Sequence, residues 1–170
     1  AGPGYGGSCF PKDTLALIRI AQAHGASCRI VEAVVEVNAA QKAHMVKKIR
    51  SALGGSEAGK TIAVLGLTFK PETDDMRDAP SLGILPPLMD KGAKIQAHDP
   101  EGMKEAKHLL PGKINYCENV YDTFSGADVV VLMTEWNQYR GLDLDRVKGL
   151  MKGKTFIDLR NVYKHEIITA

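Results

Sequence analysis

The sequence predicts an α/β fold: a Rossmann-like parallel sheet with helices on both faces, preceded by a helical connecting segment. From residue 58 onward, short apolar runs alternate with stretches of helical character. These runs are apolar throughout, which is typical of strands buried on both faces of a parallel sheet. Before residue 58, apolar residues recur with the period of a helix instead. We therefore divide the chain into a loop and helical segment over 1–57 and a sheet domain over 58–170.

The first segment is predicted to contain a glycine-rich loop and two helices. Residues 1–11 are rich in glycine and proline and offer little that could be buried periodically. Asp13 can cap or begin a helix that runs to Ala21 and stops at Gly25. A second helix is expected from Cys28 to Leu53, and its length is that of a connecting helix.

The sheet domain is predicted to alternate strands with helices. Pro86 and Pro87 interrupt the first of these helices, so a kinked or late-starting helix is expected there. The predicted strands are Thr61–Gly66, Lys94–His98, Asp128–Met133 and Thr155–Leu159, with Ile114–Tyr116 as a short addition. The predicted helices are Ser81–Lys91, Glu101–Leu109, Asn119–Phe124 and Asp143–Met151.

Composition places the chain among ordinary globular proteins and excludes several functions. Of its 170 residues, 44% are apolar and 25% are charged, and the net charge is +2. Neither nucleic acid nor a membrane is therefore an expected partner. No apolar run approaches the roughly 18 residues that span a bilayer, and no signal peptide is expected. Three cysteines without C-x-x-C spacing suggest no disulfide framework and no metal site, and they favour a reducing, cytoplasmic setting.

Loops at the predicted carboxyl ends of the strands carry charges that suit a phosphate-bearing ligand, because ligands of open parallel sheets gather at that edge. Lys70 and Arg77 follow the first strand, in a loop without the G-x-G-x-x-G pattern. Asp99 follows the second strand and Arg160 the last. Alternatives stay open. Lys70 and Arg77 also fit solvated charges, Asp99 fits a plain turn as well as a ribose contact, and Arg160 fits a local ion pair with Asp158.

Cys9 is the candidate nucleophile. It follows the glycine-rich loop and precedes a predicted helix, with Lys12 close in sequence. A helix N-terminus and an ammonium group both favour the reactive thiolate, and Asp13 could transfer a proton. An unreactive Cys9 stays an alternative, whereas Cys28 and Cys117 lack such surroundings and are expected to be inert.

Four motifs follow one another along nearly the whole chain. They are Gly4–Asp13, Val64–Ser81, Thr134–Trp136 and Asp158–Asn161. The first resembles the catalytic-cysteine motif of the nucleotide-sugar 6-dehydrogenases, which form the UDP-glucose/GDP-mannose dehydrogenase family, and the second resembles that family's C-terminal signature. The residues on either side of the cysteine are most similar to members that act on UDP-glucose.

The resemblance implies an NAD-dependent, four-electron oxidation of UDP-glucose to UDP-glucuronate. Cys9 would attack the C6 aldehyde to give a thiohemiacetal, whose oxidation gives a thioester that water hydrolyses, and Asp13 would assist water and proton transfer. The remaining implied roles are substrate binding by Tyr5, Gly6, Phe69, Lys70 and Arg160, and NAD contact by Lys12 and Arg77.

The resemblance also implies parts that lie outside this sequence. The family's NAD-binding domain would precede Ala1, and the chain begins within a glycine-rich loop without Met. We therefore expect a piece of a longer enzyme that does not turn over alone and that forms a homodimer through its helical segment. Two alternatives stay open: a dehydrogenase for GDP-mannose or UDP-N-acetylmannosamine, and a non-catalytic nucleotide-binding module in which Cys9 is structural.

Overall fold

The computed structural model describes residues 2–110 and 112–164. Within them, parallel strands form one five-stranded sheet in the order β3-β2-β1-β4-β5. The strands are β1 (Thr61–Leu65), β2 (Lys94–His98), β3 (Ile114–Tyr116), β4 (Val129–Leu132) and β5 (Thr155–Asp158). The α/β class and the parallel sheet are confirmed.

The strand order places a crossover beside the central strand. The chain proceeds outward from β1 through β2 to β3 and then returns to the other side of β1 as β4. The register pairs Leu65 with both His98 and Leu132, so these three strands end together. The loops that follow β1 and β4 therefore leave the same edge at the point where the strand order reverses, where open sheets of this type bind ligands.

Helical elements cover both faces of the sheet. Ile62 and Val64 of β1 point into a core shared with the helices that precede and follow that strand, whereas Ala63 and Leu65 point into a second core on the opposite face. The α-helices are α1 (Phe10–Ala23), α2 (Arg29–Ala52), α3 (Pro80–Met89), α4 (Met103–Leu109) and α5 (Leu144–Leu150). Within the described ranges, 3-10 helices span Val120–Phe124 and Asn137–Gly141.

The late start expected for α3 is wrong. The helix begins at Pro80 and continues through Pro86 and Pro87 to Met89. Each internal proline removes one N–H from the helical ladder, which favours a break. Burial outweighs that loss, because three side chains of this helix are completely buried: Ile84, Leu85 and Leu88.

Other elements also differ from the sequence prediction. The segment at 119–124 forms a 3-10 helix rather than an α-helix, and the 3-10 helix at 137–141 was not predicted. The first helix begins at Phe10 instead of Asp13, because the carbonyl oxygen of Cys9 already accepts the N–H of Asp13 at 2.8 Å. This earlier start makes Cys9 the N-cap residue of α1.

The two halves of α2 have different surroundings. In the C-terminal half, Met45, Val46 and Ile49 are buried in the core beside the sheet. In the N-terminal half, the apolar side chains of Ile30 and Val37 are exposed. Among the described residues, no helix is both long and apolar enough to cross a membrane.

Candidate active site

An open cavity of about 850 Å³ lies at the carboxyl edge of the sheet. Its walls are the glycine-rich loop over residues 2–7, one face of α2 and the loops that follow β1, β4 and β5. This is the edge at which the strand order reverses. All five residues predicted to bind substrate line the cavity: Tyr5, Gly6, Phe69, Lys70 and Arg160.

Arg160 ties the strand-end loops together. Its Nε donates to the carbonyl oxygen of Met133 at 2.9 Å, and its Nη2 donates to that of Phe69 at 2.9 Å. The guanidinium also forms an ion pair with Glu135 at 2.8 Å. Since 17% of the Arg160 side chain is exposed, the residue forms part of the cavity wall and also supplies positive charge to it.

Phe69 and Lys70 form the wall that follows β1. Phe69 is half-buried, whereas Lys70 is exposed. The Lys70 ammonium lies 5.4 Å from the centroid of the Phe69 ring, within range of a cation–π interaction. The cavity therefore offers an aromatic face beside an exposed cation, which suits an aromatic base linked to phosphate.

The glycine-rich loop packs tightly against the turn over residues 76–79. An added Cβ at Gly6 would lie 2.8 Å from the carbonyl carbon of Asp78 and closer still to its oxygen. Gly7 has a φ of +89° and donates its N–H to the carbonyl oxygen of Arg77 at 2.7 Å. Glycine is therefore required at 6 for close approach and at 7 for the left-handed conformation.

Cys9 lies at the outer border of this loop and is exposed. As the N-cap of α1 it stands where the helix dipole favours an anion, and the Oγ of Ser8 lies 3.6 Å from its Sγ. Asp13 is one helical turn further on and pairs with Lys12 at 3.3 Å. The structure thus groups Cys9, Lys12 and Asp13 at the start of α1, next to the loop that lines the cavity but not in the cavity wall itself.

Arg77 lies in the turn that packs against the glycine-rich loop, where its carbonyl oxygen accepts the N–H of Gly7. Its Nε and Nη2 both donate to the carboxylate of Asp75, at 2.9 and 2.8 Å. This bidentate pair holds the pKa of Asp75 below its usual range, mainly through the side-chain hydrogen bond. The same bond raises the pKa of Arg77, and the negative charge of Asp75 adds to that rise. Through its main-chain contact with Gly7, Arg77 is also anchored beside the loop that leads to Cys9.

The other cysteines have different surroundings. Cys28 is half-buried and Cys117 is buried. Burial raises the pKa of the Cys117 thiol, which disfavours the nucleophilic thiolate.

Asp99 organises the turn after β2 instead of facing a ligand. It is fully buried. Its carboxylate accepts the backbone N–H groups of Leu67 at 2.6 Å and Gly102 at 2.7 Å, and the indole N–H of Trp136 at 3.2 Å. Of the two alternatives for this residue, the structure supports the turn. The signal was available in the sequence, because Asp before Pro is typical of turns.

The alternative of a local ion pair between Asp158 and Arg160 is wrong. Asp158 accepts the backbone N–H of Arg160 at 2.8 Å and those of Val162 and Tyr163 at 2.6 and 2.9 Å. The carboxylate thereby shapes the loop after β5, and the guanidinium of Arg160 is free to reach across the cavity edge to Glu135.

Sequence reasoning missed Glu135 and the polar residues of α2 that line the cavity. Glu135 lies in a motif that carried the family resemblance, yet it received no role. Asn38 and Gln41 also received no role, although their spacing of three residues places them on one side of the helix. Within the described ranges, no group of three or more His, Cys, Asp or Glu side chains is arranged to hold a metal ion.

Comparison with family models decides the relationship. The UDP binding domain of the UDP-glucose/GDP-mannose dehydrogenase family matches residues 63–165, and the central domain of the same family matches residues 1–40. The chain belongs to the UDP-glucose/GDP-mannose dehydrogenase family. The suspected resemblance is confirmed.

Known proteins with similar sequences and structures support the same family assignment. The chain is 50% identical over 166 residues to a UDP-glucose 6-dehydrogenase of Rhizobium meliloti, covering 98% of this chain and 38% of that protein. It is 42% identical over 170 residues to UDP-glucose 6-dehydrogenase TuaD of Bacillus subtilis, covering 100% and 37%. A UDP-glucose dehydrogenase structure from Pyrobaculum islandicum superposes with a TM-score of 0.86 at 38% identity, covering 98% and 37%. The chain thus spans less than two fifths of the length of these relatives.

Proposed function

We propose that this chain supplies the nucleotide-binding part and the catalytic cysteine of an NAD-dependent UDP-glucose 6-dehydrogenase. One observation carries the proposal: the loop that lines the cavity at the strand ends leads directly into Cys9 at the start of α1. A UDP-sugar held by Phe69, Lys70 and Arg160 would then lie beside the loop that carries the thiol. The names of the relatives support UDP-glucose as the substrate.

The residues around Cys9 suit a covalent oxidation. The thiolate, favoured by the helix N-terminus, would add to the C6 aldehyde of the partly oxidised sugar and form a C–S bond. This adduct retains a hydrogen on C6, so a second hydride can leave and a thioester results. Water then cleaves the C–S bond. Asp13 would take the proton from that water and Cys9 would leave as thiolate.

NAD, when bound, would accept the two hydrides. Lys12 and Arg77 fit contact with its phosphates, because 73% and 69% of their side chains are exposed near the start of α1. Both cations already pair with a carboxylate, Asp13 and Asp75 respectively. Because most of each side chain stays exposed in these pairs, both cations remain accessible to an anionic ligand.

We also propose that the exposed apolar side chains of α1 and α2 are covered in the whole protein, where a homodimer would form through this helical segment. Ile20 and Ile30 are 58% and 82% exposed. Such an apolar surface is typical of an interface. Three free cysteines support a reducing, cytoplasmic location.

Calorimetric titration of this chain tests the ligand assignment. UDP should bind more tightly than GDP or NAD. Lys70→Ala should weaken UDP binding by about 1–3 kcal/mol, because a charge-assisted contact to the diphosphate is lost. Lys91→Ala is the matched control, since Lys91 is an exposed lysine that follows α3, away from the cavity. NAD binding as tight as UDP, or equal losses in the two variants, would contradict the proposal.

A further inference from the structure

Three polar side chains on one face of α2 contact the glycine-rich loop or the turn beside it. They are Asn38, Gln41 and Lys42, whose spacing places them side by side on the helix. The loop over residues 2–7 lies outside every helix and strand. Its shape therefore depends on contacts of this kind.

Asn38 holds the main chain of Tyr5 at two points. Its Oδ1 accepts the N–H of Tyr5 at 2.7 Å, and its Nδ2 donates to the carbonyl oxygen of Tyr5 at 3.3 Å. Both polar groups of the amide are thus committed to one residue. The same Oδ1 fills the space beside Gly4, where an added Cβ would lie 2.8 Å from it.

Gln41 and Lys42 hold the two ends of this arrangement. Gln41 donates from Nε2 to the carbonyl oxygen of Gly2 at 3.1 Å. Lys42 donates from Nζ to the carbonyl oxygen of Asp78 at 3.2 Å, in the turn that packs against the opposite side of the loop. The loop is therefore held between α2 and this turn.

We propose that Asn38 is a positioning residue whose two hydrogen bonds set the shape of the loop that lines the cavity and leads to Cys9. Gly4 and Tyr5 line the cavity themselves. A shift of the Tyr5 main chain would therefore change the cavity wall and the start of α1 together. The catalytic part of this inference rests on the proposed function, whereas the part that concerns loop shape does not.

Amide exchange at Tyr5 in this chain tests the loop directly. Asn38→Ala removes both hydrogen bonds, so exchange of the Tyr5 N–H should accelerate roughly tenfold or more. UDP should bind roughly tenfold more weakly because the loop no longer holds its bound shape. Asn38→Leu keeps the volume of the side chain without its hydrogen bonds and should give the same result. In the full-length enzyme, kcat should fall by more than KM rises.

Asn115→Ala is the matched control, because Asn115 is exposed on the edge strand β3. It should leave Tyr5 exchange, UDP affinity and kcat unchanged. Unaltered Tyr5 exchange in either Asn38 variant overturns the inference. A change confined to KM also overturns the inference, because it is the result expected of a residue that only contacts the substrate. If the wild-type chain fails to bind UDP, the proposed function fails. If Tyr5 exchange still accelerates in the Asn38 variants, the positioning of the loop by Asn38 is supported nonetheless.

Discussion

Arg160 is predicted to stabilise the fold as well as the ligand site. Arg160→Met keeps an unbranched apolar stem and removes the guanidinium. The carbonyl oxygens of Met133 and Phe69 then lose donors that lie at 2.9 Å, and Glu135 loses a partner at 2.8 Å. Arg160→Lys should restore little, because one ammonium group cannot donate in the directions of a planar guanidinium.

The size of the effect follows from these contacts. Hydrogen bonds to charged groups contribute about 1.5–3 kcal/mol each. The exposed fraction of Arg160 is 17%, so water can replace part of what is lost. We therefore expect Arg160→Met to lower the free energy of unfolding by about 2–4 kcal/mol. This cost is large for a residue whose implied role is to bind substrate.

Urea denaturation of this chain, without ligand, measures that cost. Lys70→Met is the matched control, because Lys70 is an exposed cation of the same cavity and should change stability by less than about 0.5 kcal/mol. Equal stabilities of the two variants would refute the reasoning and leave Arg160 as a ligand contact alone.

Two further predictions concern Gly6 and His98. Gly6→Ala brings a Cβ to 2.8 Å from the carbonyl carbon of Asp78, so the loop must move by about half an ångström. Titration with UDP should therefore show an affinity that is reduced roughly tenfold or more. An unchanged affinity for UDP would contradict the close approach of the loop to Asp78. Burial lowers the pKa of His98 below its usual 6.5, although Asp99 opposes the shift. As the pH falls below about 6.5 the unfolded chain takes up a proton before the folded chain does, so the free energy of unfolding should decrease until the lowered pKa is reached. Denaturation at pH 7.5 and pH 5.5 should show a smaller decrease in His98→Gln, whereas variants at an exposed histidine, such as His108→Gln, should keep the wild-type decrease.

The sheet could be predicted from sequence because its strands are short, apolar and separated by helices. Burial of Val64 and Val131 on one face of the sheet, and of Val130 on the other, reproduces that pattern. The start of α3 could not be predicted, since local preference at Pro86 and Pro87 argues against a helix that long-range burial stabilises. Propensity describes one segment at a time, whereas packing depends on the whole fold.

The sequence predicts those residues of the candidate site that belong to a recognisable motif. It does not predict residues whose contacts arise only once the chain has folded. Tyr5 and Arg160 were assigned by resemblance, and they line one cavity although they lie at opposite ends of the sequence. Asn38 carries no such signal, because a single polar residue on a long helix is usually solvated. Its contact with Tyr5 exists only because α2 crosses behind the loop. The partner of Arg160, Glu135, likewise depends on the sheet order.

The central claim is that Cys9 is the nucleophile beside a UDP-sugar cavity. In the full-length enzyme, acid quenching during turnover of UDP-glucose and NAD, followed by peptide mass analysis, should reveal a sugar acid attached to the peptide that contains Cys9. Cys9→Ser should stop release of UDP-glucuronate and retain UDP binding, because a hydroxyl is a far poorer nucleophile near neutral pH. A near-normal rate in Cys9→Ser, or attachment at Cys28 or Cys117 instead, would contradict the account.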